Sequence, residues 1–262
     1  MFALALILMF ASGEQMDLNV TQAAQSVVLL HSKLANGNDL IGTGFLVQLP
    51  GQLFLVTAEH VAREIGPTPQ LTFGAVGDVA RTLSLRDVAG SSPLGWVFHG
   101  EADVAVLALR GTADVVGLLS KRALQPAHLV NVLEAPNRER VLTTVGFPLG
   151  LGGLTLGPDQ RISPLTRESR AASGLLTLAR FDTKKPTTFF VLDNPSIGGF
   201  SGAPVFMLPG TVVSHDSLGF TPPVGFCLGL VHGTIGDGTG GKLAAIVPVA
   251  YITQTLEKAF KP

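Results

Sequence analysis

The sequence predicts an all-β protein of antiparallel strands followed by a carboxy-terminal helix. Three observations predict it. From Ser26 onward, short apolar stretches alternate with turn residues at intervals that suit antiparallel strands better than alternating strands and helices. The 31 glycines and 17 prolines among 262 residues supply the turns such strands need. After Pro248, Val249–Phe260 places apolar residues at helical spacing, with proline in a helix-starting position. The length suits one large β unit or two barrels of about a hundred residues each. With 46% hydrophobic and 14% charged residues, the chain can bury a large core, which excludes a disordered protein.

In chain order, strands are expected at 27–31, 44–49, 53–58, 68–73, 82–87 and 104–109. Residues 113–138 show little period-two pattern and read as a connecting segment. A second set of strands is expected at 141–145, 174–180, 187–192, 203–206, 226–231 and 243–248. Between its first two members, the glycine-rich 147–157 and polar 158–170 read as surface loops near a substrate.

Three segments carry chemistry. Gly199-Phe200-Ser201-Gly202-Ala203-Pro204 presents a serine on a glycine-rich turn. Leu55-Val56-Thr57-Ala58-Glu59-His60-Val61 is an apolar run reaching a histidine, and Ala102-Asp103-Val104-Ala105-Val106-Leu107 opens a strand with an aspartate. A serine hydroxyl becomes a good nucleophile when a base takes its proton, and a histidine base works best when a carboxylate fixes its tautomer. Taken singly, His60 reads as a packed core residue, Asp103 as a turn residue, and the serine turn as chance in a glycine-rich chain. One active site explains all three together with their order and their separations of 43 and 98 residues.

These segments resemble those of the chymotrypsin-like serine peptidases, especially compact bacterial forms related to HtrA and to glutamyl endopeptidases. Gly42-Thr43-Gly44-Phe45-Leu46-Val47 resembles the strand before the histidine, and Thr57-Ala58-Glu59-His60-Val61 resembles the Thr-Ala-x-His segment, with Glu59 where a small residue is usual. The resemblance runs over roughly residues 20–255. It implies two antiparallel β-barrels with a terminal helix: residues 17–118 carrying His60 and Asp103, a linker at 119–138, and 139–262 carrying Ser201. It implies a serine endopeptidase in which Ser201 attacks a peptide carbonyl, His60 acts as general base and Asp103 orients the imidazole. The backbone N–H groups of Gly199 and Ser201 would form the oxyanion hole.

Leu230-Val231-His232-Gly233-Thr234 resembles the strand whose edge pairs with the substrate backbone. Pro195 stands where trypsin-like enzymes place the acid that binds Lys or Arg, which argues against a basic preference. Glutamyl endopeptidases hold an acidic side chain with a histidine directly after Gly-Ile, whereas His232 lies one residue further on, a shift that changes strand face. An acidic preference, a small or apolar pocket, and a structural His232 all remain readings of this segment. Phe200 stands where trypsin-like zymogens carry an aspartate that pairs with a new amino terminus, so activation of that kind is not expected.

The net charge of −1, without a Lys/Arg stripe, argues against a nucleic-acid partner; a peptide or protein substrate is expected. Cys227 is the one cysteine, so no internal disulfide forms. The six histidines are scattered without cysteine partners at ligand spacing, and neither a metal nor another cofactor is expected. Residues 1–16 begin with eleven apolar residues followed by small ones, like a secretory signal but without a preceding Lys or Arg. They read as the signal of an exported (periplasmic or secreted) protein, with membrane contact if the segment stays attached; the alternative is an apolar amino-terminal strand or tail on a cytoplasmic protein. Two other functions fit the same residues: a catalytically silent peptide-binding module on this fold, and an esterase using the same triad. The order His, Asp, Ser is not that of the α/β-hydrolases.

Overall fold

A computed structural model describes residues 18–34, 37–74, 77–129, 132–154, 161–209, 225–236 and 240–260. The apolar amino-terminal segment lies outside the described residues. Fourteen strands form two antiparallel seven-stranded sheets among these residues. The first comprises β1 (Val27–Lys33), β2 (Asp39–Leu49), β3 (Gln52–Thr57), β4 (Gln70–Phe73), β5 (Arg81–Ser84), β6 (Val97–Phe98) and β7 (Ala105–Leu109), in the order β5-β4-β1-β2-β3-β7-β6. The second comprises β8 (Leu142–Gly146), β9 (Leu165–Ser169), β10 (Leu176–Ala179), β11 (Pro186–Leu192), β12 (Pro204–Met207), β13 (Phe226–Gly236) and β14 (Lys242–Pro248), in the order β10-β11-β14-β13-β12-β8-β9. The helix Val249–Phe260 follows β14 directly and turns Val249, Ile252 and Leu256 into the core.

One apolar cluster joins the two halves, taking in Phe45 and Phe54 from the first sheet and Phe189 and Phe206 from the second. A smaller cluster inside the second sheet gathers Leu142, Phe190, Phe200, Val231 and Ile246. Alternating burial along β2, β3 and β13 would face one side to solvent in a single sheet; here most residues are buried because each strand has packing on both faces.

Several local expectations give way to the structure. The strand expected at 82–87 stops at Ser84, and Leu85–Ala89 forms a short helix ended by Gly90. Gly90 has φ 65°, and its N–H bonds the Arg86 and Asp87 carbonyls, which closes the helix. Residues 165–169, expected as loop, form β9 against β8. Its polar alternation, with Arg167 and Ser169 inward and Thr166 and Glu168 exposed, hides it from an apolar pattern. The patternless 113–138 region contains a helix, Ala113–Ser120, and Val20–Ser26 is a helix held by reciprocal Asn19–Gln22 capping bonds of 3.0 and 2.9 Å.

Cys227 is fully buried, and burial pushes its thiol up to about 12. It is expected to stay unreactive toward a thiol reagent at pH 8 and to react fully in denaturant, as thiol titration would show.

Candidate active site

The end of β3 aims His60 into the seam between the sheets. The apolar run 53–56 fixes the strand, and the short helix Glu59–Glu64 begins at the residue before the histidine. Asp103 sits just before β7, which pairs with β3, so register alone brings the two residues side by side. His60 Nδ1 lies 2.7 Å from one Asp103 carboxylate oxygen, and the His60 backbone N–H donates to the other at 3.0 Å. The carboxylate therefore holds both the ring and the backbone of the histidine.

His232 approaches the same carboxylate from the second sheet, with Nδ1 at 2.5 Å. Of the readings open for this residue, its placement matches the structural one, since its ring bonds Asp103 and does not line the pocket beside Pro195. β13 pairs with β14 on either side of His232 through Val231 and Gly233 but skips His232 itself. This β-bulge turns the imidazole inward, where it is 2% exposed. Its Nε2 accepts the Phe181 N–H at 3.3 Å, so Nδ1 carries the proton donated to Asp103.

Arg180, at the end of β10, closes the site and was not singled out by the sequence. It is 3% exposed and reaches three carboxylates. Its Nη1 donates to Glu59 at 2.8 Å, Nη2 to Asp103 at 3.2 Å, and Nε and Nη2 to Asp182 at 3.0 and 2.5 Å. Glu59, the unusual residue before His60, is thus a buried counter-charge to an arginine from the other half. Burial by itself would raise the Asp103 carboxyl, but the hydrogen bonds from His232 and His60 hold it well below the usual range. Its contribution to stability is therefore complete above the unfolded value near 3.9 and is lost only as pH falls through the depressed folded value. His60 moves the other way. Burial pulls it down, yet the bond to Asp103 and its charge outweigh burial and raise it.

The ligand-capable atoms of His60, Asp103 and His232 lie within 4.8 Å of one another. Both carboxylate oxygens are already bonded, and the Arg180 guanidinium beside them opposes a further cation, so the set fits a hydrogen-bond relay better than a metal centre.

Ser201 lies on the turn before β12. Thr43, from β2, ties that turn to the first sheet: its N–H donates to the Ser201 carbonyl at 2.9 Å and its hydroxyl to the Gly199 carbonyl at 2.8 Å. Gly202 packs against Thr43 and Thr57 so closely that a Cβ there would overlap both. The Ser201 hydroxyl donates to the His232 carbonyl at 3.4 Å, and among the described residues it makes no hydrogen bond to His60.

The N–H groups of Gly199 and Ser201 have no hydrogen-bond partner among the described residues. The Gly198 carbonyl, the group that would block them, accepts from Leu149 N–H at 2.7 Å and is turned away. Gly199 has φ 97°, and a Cβ there would meet the Phe147 carbonyl at 2.5 Å, so the turn requires glycine. Phe200 is buried in the second sheet's core, where apolar packing anchors the turn without an ion pair.

Pro195 lines a pocket beside this turn together with Phe200 and Val231. Beyond the bulge, β13 has no strand pairing among the described residues on the side away from β14 from His232 to Gly236. Thr234 is exposed, and its hydroxyl holds the Ser196 carbonyl at 2.9 Å. Gly233 is buried beneath the Phe181 ring, which also stands edge-on to His60 at 5.0 Å.

Solved structures share this architecture. The protease Rv3671c of M. tuberculosis, in an inactive form, is 16% identical over 92% of each chain with a TM-score of 0.53. The thermostable serine protease AL20 from an extremophilic microorganism is 13% identical over 91% of this chain and 98% of its own, with a TM-score of 0.52. Human heparin binding protein is 12% identical, covering 94% and 95%, with a TM-score of 0.51. At these identities the likeness is one of fold: the chain has the two-sheet fold of the chymotrypsin-like serine proteases. No protein-family model and no curated protein matches the sequence.

Replacing Arg180 with Met leaves Asp103 and Asp182 buried or half-buried without their guanidinium, while Glu59 keeps only Arg63, at 2.7 Å. The change is expected to cost about 3–5 kcal/mol of stability, read as a lowered urea midpoint. An unchanged midpoint would show that the cluster does not hold the halves together.

Proposed function

We propose that the protein is a serine endopeptidase. The observation that carries this reading is the buried carboxylate of Asp103 gripping both Nδ1 and the backbone of His60, beside a serine turn with two unengaged N–H groups. Holding Nδ1–H directs the basic lone pair to Nε2, which has no hydrogen-bond partner among the described residues. In this reading the Ser201 side chain rotates away from the His232 carbonyl to offer its proton to that nitrogen. Ser201 Oγ then attacks the carbonyl carbon, and the charge developing on oxygen is met by Gly199 and Ser201 N–H groups already in place. His60 returns the proton to the leaving amine. The acyl-enzyme is cleared when His60 takes a proton from water, whose oxygen attacks the ester carbon; His60 then gives that proton to Ser201 Oγ as the carbon–Oγ bond breaks and the acid leaves. The open edge of β13 at 232–236 supplies backbone groups for an extended peptide.

A catalytically silent peptide-binding module is the second reading. It is favoured by the Ser201 hydroxyl bonding the His232 carbonyl and by Phe181 resting on His60. Turnover decides between them. Ser201→Ala and His60→Ala are each expected to lower kcat/KM on a peptide about 10,000-fold or more while the protein stays folded by circular dichroism. Activity retained in either variant overturns the peptidase reading, as does a wild type that binds peptides and cleaves none.

The pH dependence follows from the site. Catalysis needs neutral His60, whose proton is held by Asp103, with the carboxylates of Asp182 and Glu64 adding to the effect. Arg180 and His232 also face this carboxylate. The acid limb of kcat/KM is therefore expected above the ordinary histidine value of about 6.5 and should move down in Asp103→Asn. A limb below 6 in the wild type contradicts this assignment. Gly199→Ala, which pushes the turn off the Phe147 carbonyl, is expected to lower kcat about 100- to 1,000-fold with a smaller change in KM.

A further inference from the structure

The pocket beside the serine turn is lined by a cation, Arg167, whose side chain has no partner among the described residues. Its walls are Pro195, Phe200 and Val231, next to the turn and to the bulged strand, and its far side is formed by Thr144, Arg167 and Ser169. Arg167 and Ser169 are two residues apart on β9 and face inward together. Arg167 is half-buried, its side chain makes no hydrogen bond or ion pair among the described residues, and no acidic residue lines the pocket. The Ser169 hydroxyl is buried and also lacks a hydrogen-bond partner. A half-buried guanidinium and a buried hydroxyl, both unsatisfied on one wall, are an incomplete set of donors. A carboxylate would complete it.

We propose that this pocket takes the acidic side chain, Glu or Asp, of the substrate residue on the acyl side of the cleaved bond, with Arg167 as the specificity-determining residue. The proposal rests on the peptidase reading for the position of the cut, not for the binding itself. A peptide extended along 232–236 and presenting its carbonyl to Ser201 has the adjoining side chain between Val231 and the 194–200 segment, where the pocket opens. The free space between the walls is about 10 Å³, room for roughly one water. A Glu or Asp side chain does not fit that space as it stands, so Arg167 has to move toward the mouth and meet the carboxylate there; among the described residues its side chain has no hydrogen bond or ion pair to lose.

The test uses Ser201→Ala protein, which binds without turnover, and acetylated, amidated hexapeptides differing only in Glu, Gln or Leu at one position. Calorimetry is expected to show the Glu peptide binding about 10- to 100-fold more tightly than the Gln peptide. That advantage is expected to vanish when Arg167→Gln is added and to return in part with Arg167→Lys. Equal binding of Glu and Gln, tighter binding of Leu, or an advantage that survives Arg167→Gln overturns the proposal. A Leu peptide with a free carboxyl terminus separates the two sources of a carboxylate. If it alone binds, the pocket serves a chain end and the proposal fails. In the wild type, product masses are expected to place the cut directly after Glu. Glu-selective binding by a wild type that cleaves nothing would sink the peptidase reading and leave the pocket's chemistry standing.

Discussion

Asp103 is a fully buried carboxylate, and the site is organised around keeping it ionised. An isolated charge in such a place costs several kcal/mol even after relaxation. Here the compensation comes from both sheets: His60 from the first, and His232 and Arg180 from the second. Neither half satisfies Asp103 by itself. The electrostatics that orient the histidine therefore also hold the two halves in register, and Glu59 extends the link by taking another branch of Arg180. Ion clusters of this kind are a costly way to gain stability, and hydrophobic side chains often serve better. Their presence in the seam makes sense if what they secure is geometry.

The serine turn is held by different means. Phe200 anchors it through apolar burial, Thr43 through two hydrogen bonds, and Leu149 by turning the Gly198 carbonyl aside. Each contact comes from a separate element, so the turn is defined before any peptide arrives. A charged anchor at position 200 would need a counter-charge; an aromatic ring needs only a core, which the second sheet provides.

Much of this was legible in the sequence. The strands of the first half stand out because β1, β2, β3 and β7 are apolar runs between turn residues, and the terminal helix is marked by Pro248 and its helical spacing. His60, Asp103 and Ser201 are visible because each ends or begins such a run. What stayed hidden depends on contacts distant in sequence. Arg180 lies in a hairpin turn and becomes meaningful only when β10 and β11 bring it to Glu59 and Asp103, although the acid at position 59 was a visible departure from the usual small residue. The extra residue before His232 signalled a change of face, and the bulge is its physical form. β9 was missed because a polar edge strand shows no apolar period; the same polarity gives the pocket its chemistry.

Treating the protein with a fluorophosphonate and mapping the adduct by mass tests the central claim most directly, since only a serine activated by a neighbouring base reacts readily. A single adduct on Ser201 is expected, absent in Ser201→Ala and His60→Ala. A well-folded wild type that takes no adduct, or takes it on another serine, would contradict it.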